Sequence, residues 1–186
     1  MELFPALGVA WLNGWLLLAL LVVTDATTFL LFPKTVIRRL FDRSGWSRKQ
    51  VAFTAIGKLV ASVSLALIIL TPLKIGHPVS IIGVLTSGLG LMGLVWALID
   101  FRNTPADEPV TRGMYKLSRH PQIVMSFVVL TGASLAIGSW TALAILIASH
   151  IFSHLGILGE EEVCAKRYGG ATRAYLKRAA RYFIFF

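Results

Sequence analysis

The sequence predicts an all-α integral membrane protein with about five transmembrane helices and a C-terminal amphipathic helix. Of its 186 residues, 56% are hydrophobic, and the mean hydropathy is +0.74. Its apolar runs reach or approach the roughly 20 residues that a helix needs to cross a bilayer. Because backbone groups in lipid must be hydrogen-bonded within the chain, these runs are expected to be helices. Basic residues are concentrated in alternate loops, as in a chain that crosses a membrane repeatedly.

Three spans are predicted in the first hundred residues. They cover residues 7–32, 52–73 and 79–99, and the first ends at Pro33. Glu2 stands where a signal peptide carries basic residues, and the first run is longer than the apolar core of a signal peptide. We therefore expect this run to be retained as a span.

A helical hairpin is predicted after these spans. Residues 122–158 are almost continuously apolar, with a break at Gly138-Ser139. Span four would cover residues 122–137 and span five would begin at Trp140. With about 16 residues, span four is near the lower limit for crossing a bilayer and would need a thinned or tilted fit.

The tail from residue 163 to residue 181 lacks proline and alternates apolar with basic residues. It is predicted to form an amphipathic cytoplasmic helix, which either lies on anionic headgroups or closes over a site. We expect one domain over residues 1–186, with N-terminal spans in 1–100 and the polar motifs in 101–186.

The distribution of basic residues predicts the orientation of the chain. Three segments on one side of the predicted topology hold 16 of the 18, and only Lys58 and Lys74 lie elsewhere. The positive-inside rule then places the N-terminus outside and the C-terminus in the cytoplasm. The 16 residues are Lys34, Arg38, Arg39, Arg43, Arg48, Lys49, Arg102, Arg112, Lys116, Arg119, Lys166, Arg167, Arg173, Lys177, Arg178 and Arg181.

Two charged residues lie within predicted spans. Asp25 in span one and Lys58 in span two are both ~10 Å from the same membrane face by helix rise. Since charges in lipid usually pair or face a cavity, we expect these two side chains to be in contact. The alternative is that Lys58 extends alone towards the membrane surface.

Composition argues against several classes of function. The net charge of +9 is divided among loops, so nucleic-acid binding is not expected. The one cysteine, Cys164, cannot form an internal disulfide. His150 and His154 share a helix face, but no third ligand stands at a fixed spacing, so no metal is expected.

Two polar clusters flank the predicted hairpin and indicate a site. The first is residues 112–122, and the second is Glu160-Glu161-Glu162. Arg119 could pair with a carboxylate or phosphate, while Glu160 and Glu161 could bind an ammonium group or a ribose diol. Alternatively, the cationic side chains of the first cluster only extend to lipid headgroups.

These clusters carry a resemblance to a known family. The segment Gly113-x-Tyr115-x-x-x-Arg119-His120-Pro121, a hairpin, and then Glu160-Glu161, Tyr168-Gly169, Tyr175 and Arg181-Tyr182 resemble the isoprenylcysteine carboxyl methyltransferase and phospholipid methyltransferase family. The resemblance covers residues 112–182. Cys164, Thr172 and Ala180 depart from the leucine, tyrosine and proline of the family pattern, and Gln122 stands where many members have a small or apolar residue.

The resemblance implies S-adenosylmethionine as cofactor and a lipophilic acceptor that arrives from the bilayer. It places the cofactor on the cytoplasmic side, with His120 towards the methionine carboxylate and Glu160 or Glu161 towards the amino group or ribose. The implied cofactor residues are Tyr115, His120, Pro121, Gln122, Glu160 and Glu161. His150, Tyr175 and Arg181 are assigned to the acceptor, and Arg119 and His154 to catalysis.

A histidine is a candidate base for the reaction. No arginine lies between Arg119 and Glu160, where related carboxyl methyltransferases carry one shortly before the acidic pair. If span five stays helical, His150, His154 and Glu161 lie close to one face, which would direct His154 at the cavity. A histidine suits deprotonation of an amine or thiol better than anchoring a carboxylate. We therefore favour an amine or thiol acceptor over a prenylcysteine carboxylate.

Two other functions stay open at this point. Sterol reductases resemble the same family in their membrane portion and bind a nicotinamide cofactor, but they are much longer. The chain could also be a small membrane scaffold or transporter whose charges only set its topology.

Overall fold

The computed structural model describes residues 1–8 and 10–183, which are 70% helix. No β-strand occurs in these residues, so the predicted all-α class is confirmed. A single 3₁₀ turn lies at Gly113–Lys116. The helices are α1 (Trp15–Leu31), α2 (Lys34–Leu40), α3 (Arg48–Leu70), α4 (Pro78–Arg102), α5 (Pro121–Ala136), α6 (Trp140–Tyr168) and α7 (Gly170–Leu176).

Five apolar helices correspond to the five predicted spans. Three of them, α3, α4 and α6, are long and apolar enough to cross a membrane, and α1 and α5 are shorter apolar helices. The chain is therefore built as a membrane protein. The first helix begins at Trp15 rather than near residue 7. Before it, the chain folds across one end of the bundle, where the Asn13 amide donates to the Gly8 and Ile69 carbonyls.

The predicted tail helix over residues 163–181 is not continuous. Its first part belongs to α6, which runs beyond the apolar span through the acidic cluster to Tyr168. Gly169 then adopts a φ of +59°, a left-handed conformation that favours glycine and ends the helix. The short α7 follows and ends at Leu176, and residues 177–183 continue without helix.

The helices pack as two pairs, α3 with α6 and α4 with α5. Glycines allow the close approach within each pair. In the second pair, Gly83 faces Gly132, and a Cβ on either would overlap the backbone of the other helix. In the first pair, Gly57 lies against the backbone of Ser149. Small residues at such positions let helix backbones meet in lipid, where no hydrophobic force drives them together.

A buried hydrophobic core joins the two pairs at one end of the bundle. The buried cluster there consists of Leu17, Leu18, Ile68, Ala133, Ala136, Ile137 and Ala142. The other end, formed by residues 34–47, 103–120 and 169–183, holds most of the basic residues, and we refer to it as the basic end. Between the pairs, the interior at the basic end is open.

The predicted contact between Asp25 and Lys58 is wrong. Asp25 is exposed on α1, whereas Lys58 lines the cavity between the helix pairs. No ion pair joins them among the ion pairs of the described residues. Equal depth therefore did not imply contact, because α1 packs mainly through Leu17 and Leu18 near the opposite end.

Candidate functional site

A cavity of about 600 Å³ opens at the basic end of the bundle. Its mouth is lined by charged residues that include His120 and Glu160, and its interior extends between the helix pairs to Leu130 on α5. Leu130 is nine residues after Pro121, so the cavity reaches ~14 Å along α5 by helix rise. Leu130 also packs against the core cluster, which closes the inner end. One cavity thus joins a charged mouth to a mostly apolar interior, whose wall also carries Lys58 and His150.

The segment before α5 is held by Asp100 near the end of α4. The Asp100 carboxylate accepts a hydrogen bond of 2.8 Å from the Met114 backbone N–H. It also fills the space that a Cβ at Gly113 would need, and Gly113 has a φ of +56°. Gly113 is therefore needed for two reasons: its backbone conformation favours glycine, and the Asp100 carboxylate leaves no room for a Cβ.

Glu161 lies at the centre of an ionic cluster. Its two oxygens accept hydrogen bonds of 2.9 Å each from Nε and Nη2 of Arg181. Arg119 Nη1 lies 3.2 Å from Oε1, and His120 Nε2 lies 3.3 Å from the same oxygen. Only 10% of the Glu161 side chain is exposed. The pKa of Glu161 is lowered: burial opposes ionisation, but the His120 and Arg181 hydrogen bonds outweigh it.

His120 is held between the two glutamates of the second cluster. Its Nδ1 lies 3.5 Å from Glu160 Oε2, and its Nε2 is bonded to Glu161. Burial opposes protonation, yet the hydrogen bonds to Glu160 and Glu161 prevail and raise the pKa of His120 to about 9. The imidazole is therefore protonated at neutral pH. Glu160 differs from Glu161 in being half-exposed, with 47% of its side chain accessible at the cavity.

Residues after α7 tie this cluster together. The Arg119 backbone N–H and Nε donate to the carbonyls of Ala180 and Ala179, both at 2.8 Å. The Ser118 hydroxyl donates to the Arg181 carbonyl, also at 2.8 Å. The guanidinium of Arg119 therefore bonds to backbone carbonyls and to Glu161, and it fixes the tail against the loop before α5.

Three other predicted cofactor or acceptor residues lie on the cavity wall. Tyr115 is buried, and its backbone carbonyl accepts a 2.7 Å hydrogen bond from the Tyr175 hydroxyl. Burial raises the pKa of both phenols, so they stay neutral. Gln122 also lines the cavity, and its buried Nε2 has no hydrogen-bond partner in the described residues. Pro121 is buried and begins α5.

The two histidines of α6 have different surroundings. His150 lines the cavity, and its ring lies 4.3 Å from that of Phe127. The expectation that His154 faces the cavity is not met, because it is absent from the lining and its Nδ1 lies 2.6 Å from the Tyr182 hydroxyl. Arg181 is likewise outside the cavity lining, since its guanidinium is turned to Glu161.

The end of α2 and the loop after it line the cavity, which the sequence did not indicate. Arg39 donates to the carbonyls of Pro105 and Glu108 at 2.7 and 2.6 Å. Asp42 forms a 2.5 Å ion pair with Arg167 of α6, and hydrogen bonds from Ser44 and Arg167 lower the Asp42 pKa to about 2. Arg39, Asp42 and Arg167 all line the cavity. In the sequence, Arg39 and Arg167 indicate only topology, and Arg39 and Asp42 are far from either motif.

The remaining titratable groups of the site do not form a metal centre in the described ranges. No group of three or more His, Cys, Asp or Glu side chains there is arranged to hold a metal ion. Cys164 lines the cavity as a neutral thiol, because burial raises its pKa to about 11.

The fold and the site together define a helical integral membrane protein with one cavity that is charged at its mouth and mostly apolar inside. The family model of phospholipid methyltransferases matches residues 78–171, from the start of α4 into α7. The chain belongs to this family of integral membrane methyltransferases. Comparison with curated proteins gave no match, and neither did comparison with solved structures.

Proposed function

We propose that the chain is an S-adenosylmethionine-dependent methyltransferase that acts on a lipophilic acceptor at the membrane face. The observation that carries this proposal is that one cavity is charged at its mouth by His120 and Glu160 and mostly apolar towards Leu130. A polar cofactor and an apolar acceptor need such a junction, because methyl transfer requires both to be aligned with water excluded.

The residues at the mouth fit the polar parts of this cofactor. The cations of the cavity lining outnumber its three carboxylates, Asp42, Glu160 and Glu161, which suits a ligand with a carboxylate of its own; these cations are Arg39, Arg43, Lys58, Arg119, His120 and Arg167. Half-exposed Glu160 would hold an ammonium group or ribose diol, and His120, whose two ring nitrogens contact Glu160 and Glu161, would position Glu160. The cavity volume lies within the roughly 300–1,000 Å³ of ligand pockets.

The chain's own residues have separate tasks in this proposal. When bound, S-adenosylmethionine supplies an electrophilic methyl group. Glu161 positions His120 and Arg119, because its oxygens are occupied by them and by Arg181. His150, on the cavity wall, is placed to take a proton from an amine or thiol acceptor. The acceptors considered are a phospholipid amine, a thiol and an isoprenylcysteine-like carboxylate.

The test compares two neighbouring glutamates. Glu160→Gln should weaken S-adenosylmethionine binding by roughly ten- to a hundredfold, the effect of losing a charge-assisted contact. Glu162→Gln is the matched control, since Glu162 pairs with Lys166 and does not line the cavity. Calorimetry on the detergent-purified wild type and both variants measures the affinities for S-adenosylmethionine, its demethylated product and NADPH. If NADPH binds and neither S-adenosylmethionine nor its product does, the methyltransferase proposal is wrong and a reductase is supported.

We further propose that the basic end faces the cytoplasm. The support is the concentration of 16 basic residues at that side of the predicted topology. A reporter fused to the C-terminus should be cytoplasmic, and one inserted near Gly76 should be outside. Finding both reporters on one side would contradict this orientation.

A further inference from the structure

One wall of the cavity is a segment without buried residues. We refer to residues 33–45 as the strap, which contains α2 and joins α1 to α3. Its residues 39–43 all line the cavity. None of the residues of the strap, all of which the structure describes, is buried. No fully buried side chain therefore fixes the strap, and its position depends on individual side-chain contacts.

Two side-chain contacts hold the strap to other segments of the cavity mouth. Arg39 donates three hydrogen bonds of 2.6 to 3.1 Å to backbone carbonyls in the loop 104–108. Asp42 pairs with Arg167 of α6 at 2.5 Å. The loop leads from α4 to the 3₁₀ turn, and α6 carries the acidic cluster. The two contacts thus connect the strap to both segments that carry the site.

A further contact attaches the strap to the helix before it. Phe41 stacks on Phe29 of α1, with ring centres 5.4 Å apart. The strap begins at Pro33 and ends at Gly45, both outside the helices. Residues at the ends of elements can absorb the backbone rotations of a hinge movement. The strap can therefore turn about its ends, with Phe41 still against α1, when the two contacts at the cavity mouth break.

We propose that the strap opens and closes the basic end of the cavity, with Arg39 and the Asp42–Arg167 pair as its latches. The inference rests on the proposed function, because it concerns the entry and release of the polar cofactor at that site. Methyl transfer needs water to be excluded, so the latches are expected to hold while both substrates are bound. Release needs them to break, and the partly exposed Asp42–Arg167 pair suits this, because exposed ion pairs are weak.

The one cysteine of the chain reports opening without any ligand. Cys164 lines the cavity and is partly buried, so a thiol reagent should reach it faster when the strap is open. The rate of Cys164 labelling by monobromobimane is measured by mass spectrometry on the full chain in detergent. Arg39→Met should raise this rate by about tenfold or more, through loss of charge-assisted hydrogen bonds. Arg167→Met should raise it by about two- to fivefold, as expected for an exposed ion pair.

Controls separate opening from a change in thiol reactivity. Removal of a nearby cation by itself slows labelling, because it disfavours the thiolate, so a faster rate in these variants reports opening. Arg38→Met and Lys166→Met are the matched controls, because each changes a neighbouring cation outside the cavity lining, and both should label as the wild type. Asp42→Arg combined with Arg167→Asp should return the rate towards that of the wild type, because the pair is restored with its charges exchanged.

The outcomes separate this inference from the proposed function. Equal labelling rates in the wild type, Arg39→Met and Arg167→Met would overturn the strap, even if S-adenosylmethionine binds. Dissociation of radiolabelled S-adenosylmethionine should also be faster in both variants, and faster labelling with unchanged dissociation would overturn the role of the strap as a gate. If Arg39→Met does not fold, the Asp42 and Arg167 variants make the comparison alone. Faster labelling in the variants of a chain that does not bind S-adenosylmethionine would support the moving strap and refute the proposed function alone.

Discussion

The Arg181 guanidinium donates two hydrogen bonds, each of 2.9 Å, to the carboxylate of Glu161, which is 20 residues earlier in the chain. The pair joins the residues after α7 to the part of α6 that extends beyond the apolar span at the basic end. Glu161 in turn bonds to Arg119 and His120 in the loop before α5. Three segments thus meet at one carboxylate, which holds them together at the cavity mouth.

Arg181→Ala should lower both stability and cofactor affinity. The loss of two charge-assisted bonds to a buried carboxylate is expected to cost about 1.5–3 kcal/mol. The stability and cofactor affinity of Arg181→Lys should lie between those of the wild type and Arg181→Ala, since lysine keeps the charge without the bidentate geometry. Thermal unfolding in detergent and calorimetry with S-adenosylmethionine measure the two effects. Arg178→Ala, an exposed arginine of the same segment, should leave both unchanged. Equal effects of the alanine variants would refute the role of Arg181.

Stability should fall as pH rises through 9, because His120 binds its proton more tightly in the folded protein. Its folded pKa of about 9 exceeds the ordinary value of 6.5. The stabilisation is fully present below pH 6.5 and is lost as pH rises through about 9. It amounts to at most about 3 kcal/mol. Melting temperatures between pH 6.5 and 9.5 should decline more in the wild type than in His120→Gln. His77→Gln, which changes an exposed histidine at the N-cap of α4, is the control, and its melting temperature should decline between these pH values as much as that of the wild type.

Much of the fold could be predicted from hydropathy, because lipid leaves a backbone few alternatives to helix. The boundaries outside the apolar runs could not. Helix α6 continues for ten residues beyond residue 158, through Glu160 and Glu161, since polar residues extend a helix readily once it leaves the apolar layer. The division of the tail at Gly169 depends on one left-handed glycine, which an amphipathic pattern does not reveal.

The site was predictable where its residues stand close together in motifs. The structure brings Arg119, His120, Glu160 and Glu161 together, as the two polar clusters indicated. Lys58 and the loop of Arg43 were not predicted, because they are more than 50 residues from either motif and carry no pattern of their own. Their place on the cavity follows from the pairing of α3 with α6, which sequence periodicity does not specify.

Two neighbouring glycines of α4 should respond oppositely to alanine. A Cβ at Gly90 would lie 2.7 Å from the Val129 backbone nitrogen of α5, whereas one at Gly88 meets nothing within 4 Å. Gly90→Ala should therefore destabilise by about 1–3 kcal/mol through overpacking. Gly88→Ala should be neutral or stabilising by up to about 1 kcal/mol, because alanine is the better helix former. Thermal unfolding compares them, and a similar melting temperature for both variants would contradict the α4–α5 packing.

The last prediction separates the two histidines of α6. His150 lies on the cavity wall beside Phe127, whereas His154 contacts Tyr182 of the tail. If a histidine deprotonates the acceptor, His150→Ala should lower methyl transfer by about 10²-fold or more while S-adenosylmethionine affinity stays near normal. His154→Phe should mainly lower the melting temperature, because it breaks the bond to the tail. Both variants are assayed with phosphatidylethanolamine, a long-chain thiol and a prenylcysteine, using radiolabelled cofactor at several pH values. Transfer lost in the His154 variant but retained in His150→Ala would return the catalytic role to His154, as the sequence suggested.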